Sequence, residues 1–151
     1  MTETPRTLTK SEKEGVWVEQ NTRKPQNEFL LITKAKDLVK HTFAMTSEKR
    51  YPKKYRALTE RLHDRTLEIF ECIQEANELE LSEPREFAER QRLQKRALTL
   101  CKTVLFLIEL SHERGCISIE SCQYWTKYVL DVKYMAAKWK KMEKEKYTSR
   151  H

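Results

Sequence analysis

Between Ser47 and Arg56 the chain reads Ser47-Glu48-Lys49-Arg50-Tyr51-Pro52-Lys53-Lys54-Tyr55-Arg56, with five cations and two tyrosines in ten residues. Cations interleaved with aromatic rings suit phosphates and nucleobases: the charges hold the backbone and the rings stack on bases. The same composition also suits a solvated connection whose tyrosines cover a core edge. A second cationic strip follows at Arg90, Arg92, Lys95, Arg96 and Lys102. The candidate nucleic-acid contacts are therefore Lys49, Arg50, Lys53, Lys54 and Arg56, with Arg92, Lys95 and Arg96 as a second patch.

Catalytic constellations are missing from the sequence. There is no Gly-rich phosphate loop, no GxSxG elbow and no HExxH. His41, His63 and His112 are far apart in sequence, and neighbours such as His63-Asp64 point apart on a helix. The Glu-x-x-His pairs of a di-metal carboxylate bundle do not occur. Cys72, Cys101, Cys116 and Cys122 form no CxxC pair and have no His at ligand spacing, so they read as free thiols, two of them on core stripes. The expectation is a protein that is not an enzyme, with no cofactor and no bound metal.

The elements that must position these charges are helical. The 151 residues suit one domain, 35% are charged, and only two are Gly and four Pro. Between Lys53 and Glu83 there is no Gly or Pro, and Leu58, Leu62, Ile69, Ile73 and Ala76 recur at helical spacing, with Phe70 widening the stripe. Similar stripes run through Leu30, Leu31, Lys34, Leu38 and Thr42 or Phe43, with Ala35 and Val39 beside them. Another runs through Leu93, Ala97, Leu100, Cys101, Val104, Ile108 and Ser111 or His112. The last holds Cys122, Trp125, Val129, Val132, Met135, Ala136, Trp139 and Met142. Pro52 and Pro84 fit first helical positions, Ser118 an N-cap and Gly115 a C′ residue.

These signals predict an all-α chain: an up-down-up-down antiparallel four-helix bundle over 27–147, with helices at about 27–46, 53–81, 84–114 and 118–146. Residues 1–26 read as a flexible N-terminal tail, and residues 147–151 as a frayed end. The tail is broken by Val16-Trp17-Val18, which either covers a bundle groove or docks a partner. Helix three is apolar nearly all round through Leu98, Leu105, Phe106, Leu107 and Leu110, so it meets several neighbours or keeps a face for another subunit.

Antiparallel neighbours sort the charge. The 49–56 turn and the 112–118 turn fall at one end. The acidic stretch from Glu68 to Glu89, with eight Glu and one Arg, falls near the Lys-rich end of helix four. That juxtaposition is either internal neutralisation or a charge-matched subunit contact. A net charge of +7 favours a polyanionic partner. No apolar run is long enough to span a membrane and the first residues lack a signal-peptide core, so a cytoplasmic location is expected.

An ordered set of short motifs resembles a known family. They are Leu31 through Leu38, Pro52-Lys53-Lys54-Tyr55-Arg56, Leu67-Glu68-Ile69 through Glu75-Ala76-Asn77-Glu78, and Arg90 through Leu98. Gly115-Cys116-Ile117 and the spaced Trp125, Asp131-Val132 and Trp139 complete it. Over about residues 29 to 141 the chain is similar to the accessory variability determinant proteins of diversity-generating retroelements. These are related to four-helix proteins encoded in ribosomal-RNA intervening sequences. The resemblance implies a non-catalytic basic homo-oligomer, a pentamer, that binds a reverse transcriptase and its template RNA and cDNA. The sequence departs from that pattern in its longer N-terminal segment and its acidic 68–89 stretch. The alternative is a helical bundle that binds only protein, through Trp17, Trp125 or the outer face of helix three.

Overall fold

Leu31, Ala35, Leu38, Thr42 and Met45 follow one another at intervals of four and three, and all five are buried. The same alternation carries Leu58, Leu62, Thr66, Ile69, Ile73 and Ala76, then Arg90, Leu93, Ala97, Leu100, Val104 and Ile108. It returns in Trp125, Val129, Val132, Ala136, Trp139 and Glu143. A stripe averaging close to 3.5 residues per turn keeps one face of a helix on a shared axis, which is the packing of a bundle. The computed structural model describes residues 26–150, and side chains from Leu30 to Ser149. It holds helices α1 (Gln26–Met45), α2 (Arg56–Glu78), α3 (Pro84–Glu113) and α4 (Ile119–Arg150), with a 3-10 turn at Lys53–Tyr55. Among the described residues there is no strand.

The chain divides into two units, Met1–Leu30 and Leu31–His151. The second holds the core. The expected tail lies outside the described residues apart from Gln26, which opens α1, and so does the Val16-Trp17-Val18 island.

Side-chain pairings give the helix directions. Tyr55 meets Arg114 and Glu68 meets Arg96, so α2 and α3 run antiparallel. Phe87 stacks on Tyr147 while Gln94 bonds Glu143, so α3 and α4 do too. Lys34 pairs with Asp131 and Trp125 donates to Thr42, which closes the ring between α4 and α1. His63 touches both Phe43 and Thr46, joining α1 to α2. Each helix packs beside its chain neighbours, as the short connections require. The predicted four-helix bundle is the observed fold.

Helix ends follow local chemistry. Glu83 accepts from the Glu86 N–H at 2.9 Å, with Pro84 at the first helical position. The Ser118 hydroxyl accepts from the Ser121 N–H at 3.1 Å. At the end of α3, Gly115 has φ +82, its N–H bonds the His112 carbonyl at 3.0 Å, and the Cys116 N–H reaches back to Ser111 at 2.9 Å. This pair of bonds is a Schellman closure, which needs a left-handed residue at that point.

The sequence expectation differs in a few places. α2 stops at Glu78 rather than near 81, because Leu79 turns extended and Arg90 from α3 takes the carbonyls of Ala76 and Leu79 at 3.0 and 2.7 Å. α4 runs to Arg150 instead of fraying from 147, held by Tyr147 stacked on Phe87 at 4.0 Å. Leu30, Phe43 and Met142 are exposed, and half-buried Lys34 reaches Asp131. The helical stripe at the end of α4 is completed by buried Glu143 in place of Met142.

Arg90 and Glu143 are the largest departure. Arg90 belongs to no surface strip; it and Glu143 are 4% and 6% exposed. Its Nε donates to Glu143 Oε1 at 2.8 Å and a second guanidinium nitrogen bonds Oε2. Gln94 donates to the same carboxylate at 2.9 Å, and the guanidinium lies 5.0 Å above the Trp139 ring. One cluster thus ties α3 to α4 and caps α2.

Two stability predictions follow from these ends. Arg90→Ala strands a buried carboxylate and costs about 3–5 kcal/mol, whereas Arg90→Leu with Glu143→Leu costs much less. Urea unfolding of both proteins checks this, and equal losses would contradict it. A Cβ at position 115 meets nothing within 4 Å. Gly115→Ala therefore costs only backbone strain, about 1–2 kcal/mol, read as a lower unfolding midpoint.

Candidate nucleic-acid interface

The connection from α1 to α2 is short, and among the described residues its cations have no carboxylate partner. Tyr51 anchors it: the ring is 5% exposed, lies beside Ser111 and Cys116, and burial pushes its hydroxyl up to about 12. The buried Tyr51 and the proline after it hold Lys49, Arg50, Lys53, Lys54 and Arg56 outward, and all five are exposed. Among the described residues none of these five makes an ion pair within 4.0 Å. Arg50 rests on Met45, with a guanidinium nitrogen 3.3 Å from the sulfur. A cavity of about 300 Å³ opens beside the turn, lined by Lys53, Arg56, Thr46 and Thr59, with Glu48 supplying a carboxylate.

The 112–118 turn lies at this same end, as the topology predicts. Arg114 Nε donates to the Tyr55 hydroxyl at 3.3 Å, and Lys54 Nζ sits 5.3 Å from the Tyr55 ring centre. Tyr55 therefore lies between a cation from its own turn and one from the end of α3. Arg61, one turn further along α2, is exposed on the same side. Arg61 and Arg114 were not among the residues expected at the site. Their signal was present: Lys54, Ala57, Leu58 and Arg61 share one helix face, as do Leu107, Leu110 and Arg114.

The second expected patch is different in kind. Arg92 makes two bonds to Glu89, at 2.8 and 2.7 Å, and this contact holds the Glu89 carboxyl below its ordinary range. Arg96 reaches Glu68 across the α2–α3 groove at 3.1 Å. Lys95 and Lys102 stay exposed on α3. The patch is thus split between two neutralised arginines and two open lysines. It is not brought next to the 49–56 turn.

The titratable groups elsewhere are occupied by packing. Thr46 donates its hydroxyl to the Thr42 carbonyl at 2.9 Å, so His63 Nε2, 2.7 Å away, donates to Thr46. Burial lowers the His63 pKa, keeping the ring neutral, and Phe43 stacks on it at 4.0 Å. Burial, then the nearby Arg50 charge, lowers His41, which stacks on Tyr128 at 4.4 Å. All four cysteines are free thiols. Burial pushes Cys72 up to about 11 and Cys101 up to about 12, which keeps both protonated and inert. Among the described residues no three His, Cys, Asp or Glu side chains converge on a metal position. No described helix is long and apolar enough to cross a membrane.

No family model, no curated protein and no solved structure matches this sequence.

Proposed function

We propose that this bundle is a non-catalytic, basic, homo-oligomeric accessory protein that binds the template RNA and cDNA of a reverse transcriptase, and the polymerase itself, in the cytoplasm. The observation that carries the nucleic-acid part is the contrast between the two sets of cations. Those of the 49–56 turn are exposed and, among the described residues, without carboxylate partners, whereas Arg92 and Arg96 are matched by Glu89 and Glu68. Open, unpaired cations attract phosphates and release condensed counterions, and this term dominates sequence-independent binding. The retroelement setting and the polymerase partner rest on the motif resemblance over residues 29 to 141.

The 49–56 turn supplies the phosphate contacts through Lys49, Arg50, Lys53, Lys54 and Arg56. Lys95 adds to them along α3, and Arg92 and Arg96 join only by exchanging their carboxylates for phosphates. An exposed ion pair is worth about 0–1 kcal/mol, so that exchange is cheap but yields no net charge.

Salt dependence tests the assignment. If about six phosphates are neutralised per subunit, log affinity falls with log salt at a slope near −5 on a duplex. Replacing Lys53, Lys54 and Arg56 by Ala flattens that slope by about 2 to 3 while the melting curve is preserved, since all three are exposed. Replacing Arg92 and Arg96 changes it by less than half as much. A slope unmoved by the triple substitution overturns the assignment of the turn.

A further inference from the structure

The groove between the start of α2 and the end of α3 has a composition that phosphate binding alone does not use. Its volume is about 360 Å³, and its floor is apolar: Leu58, Leu107 and Leu110, with Ala57 beside them. Its rim carries Lys54, Arg61 and Arg114, and among the described residues no carboxylate lines it. Tyr55 forms one wall, with the Arg114 guanidinium 5.9 Å and the Lys54 ammonium 5.3 Å from its ring centre. Phe106, 57% exposed, sits one residue before this floor on α3.

A duplex shows the protein its phosphates and keeps its bases stacked inside. Laid across this groove it would satisfy the rim and leave the apolar floor wet. A single strand presents both chemistries at once, phosphates for the cations and flat π-faces for an apolar, aromatic cleft. The groove is also continuous with the cationic turn through Lys54, which follows the Lys49 to Lys53 cations and also lines the groove. A strand lying along the turn therefore passes from the cations of the turn to those of the groove rim by way of Lys54.

We infer that the α2–α3 groove is a single-strand site, in which an unstacked base enters between Tyr55 and the Leu107–Leu110 floor while Lys54, Arg61 and Arg114 hold the flanking phosphates. This rests on the proposed nucleic-acid role and sharpens it: the ligand is single-stranded RNA or DNA rather than duplex.

The test compares a fluorescein-labelled oligouridine strand with a blunt RNA duplex of equal length, by anisotropy at one salt concentration. The full chain is used as wild type, as Ala57→Leu, which fills the groove from an exposed position, and as Leu110→Ala, which removes part of its floor. The expected result is that both variants lose about tenfold in strand affinity and keep their duplex affinity. A strand carrying 5-iodouracil, irradiated on the wild type, should also crosslink within residues 54–61 or 107–114. Equal binding of strand and duplex, unaffected by both variants, overturns the groove assignment. It leaves the cationic turn standing if the Lys53, Lys54 and Arg56 substitutions still weaken both. Loss of all binding to either probe in the wild type overturns both readings. A groove that instead takes an acidic amphipathic peptide, with strand affinity indifferent to the groove variants, overturns this one alone.

Discussion

The buried contact between Arg90 and Glu143 is the constraint on which the rest of the bundle depends. Removing two charges from water costs several kcal/mol each, and only close geometry with full hydrogen bonding recovers it. Here every neighbour contributes: the carboxylate receives Arg90 and Gln94, while the guanidinium also bonds two carbonyls and covers Trp139. An apolar pair of similar volume satisfies the core equally well. What it cannot do is reject a shifted register. Sliding α4 by one turn strands Glu143 without Arg90, and sliding α3 removes the cap from the end of α2.

Fixing that end determines how charge is disposed at the other. The acidic stretch from Glu68 to Glu89 lies along α2 and the start of α3, where it meets Arg92 and Arg96 and neutralises both. Little is left to neutralise the α1–α2 connection. From Ser47 to Arg61 there are six cations and two carboxylates. Positive charge is therefore concentrated at the turn by the sequence itself, while helix register matches Arg96 of α3 to Glu68 of α2. A pair of helices in a different register would place Glu68 beside other residues and leave Arg96 open.

The helices and their inward stripes were legible because the period of the pattern is the period of the packing. Leu62, Ile69, Val104 and Trp125 could be placed from spacing alone, and each is fully buried or nearly so. The exceptions have one cause. Phe43 and Met142 are apolar and fit the outer margin of a stripe, so hydrophobicity favoured them, but their exposed positions follow from the helix facing direction. Arg90 and Glu143 occupy inward register, and their charges hid this. Polarity predicted surface, while the spacing from Leu93 and Trp139 pointed inward. Of the site, the cationic turn was visible as a cluster in sequence. Arg61 and Arg114 each lay on a legible helix face, but they are 53 positions apart and join one rim only through the side-by-side packing of α2 and α3.

Tyr55 shows why the rim and the turn act as one surface. Its N–H closes the 3-10 turn by bonding the Pro52 carbonyl at 2.9 Å, and Tyr55 itself is the residue that caps the start of α2. Its hydroxyl is held by Arg114, which ends the third helix. The ring is thereby fixed between two rigid elements rather than carried on a loop, and little side-chain entropy remains to be lost when a planar ligand stacks against it. Arg114 is already oriented by that hydroxyl through Nε alone, and its other guanidinium nitrogens can face an incoming phosphate. The geometry that stabilises the end of the bundle is thus the geometry that prepares the groove, with the Tyr55 and Arg114 side chains serving both.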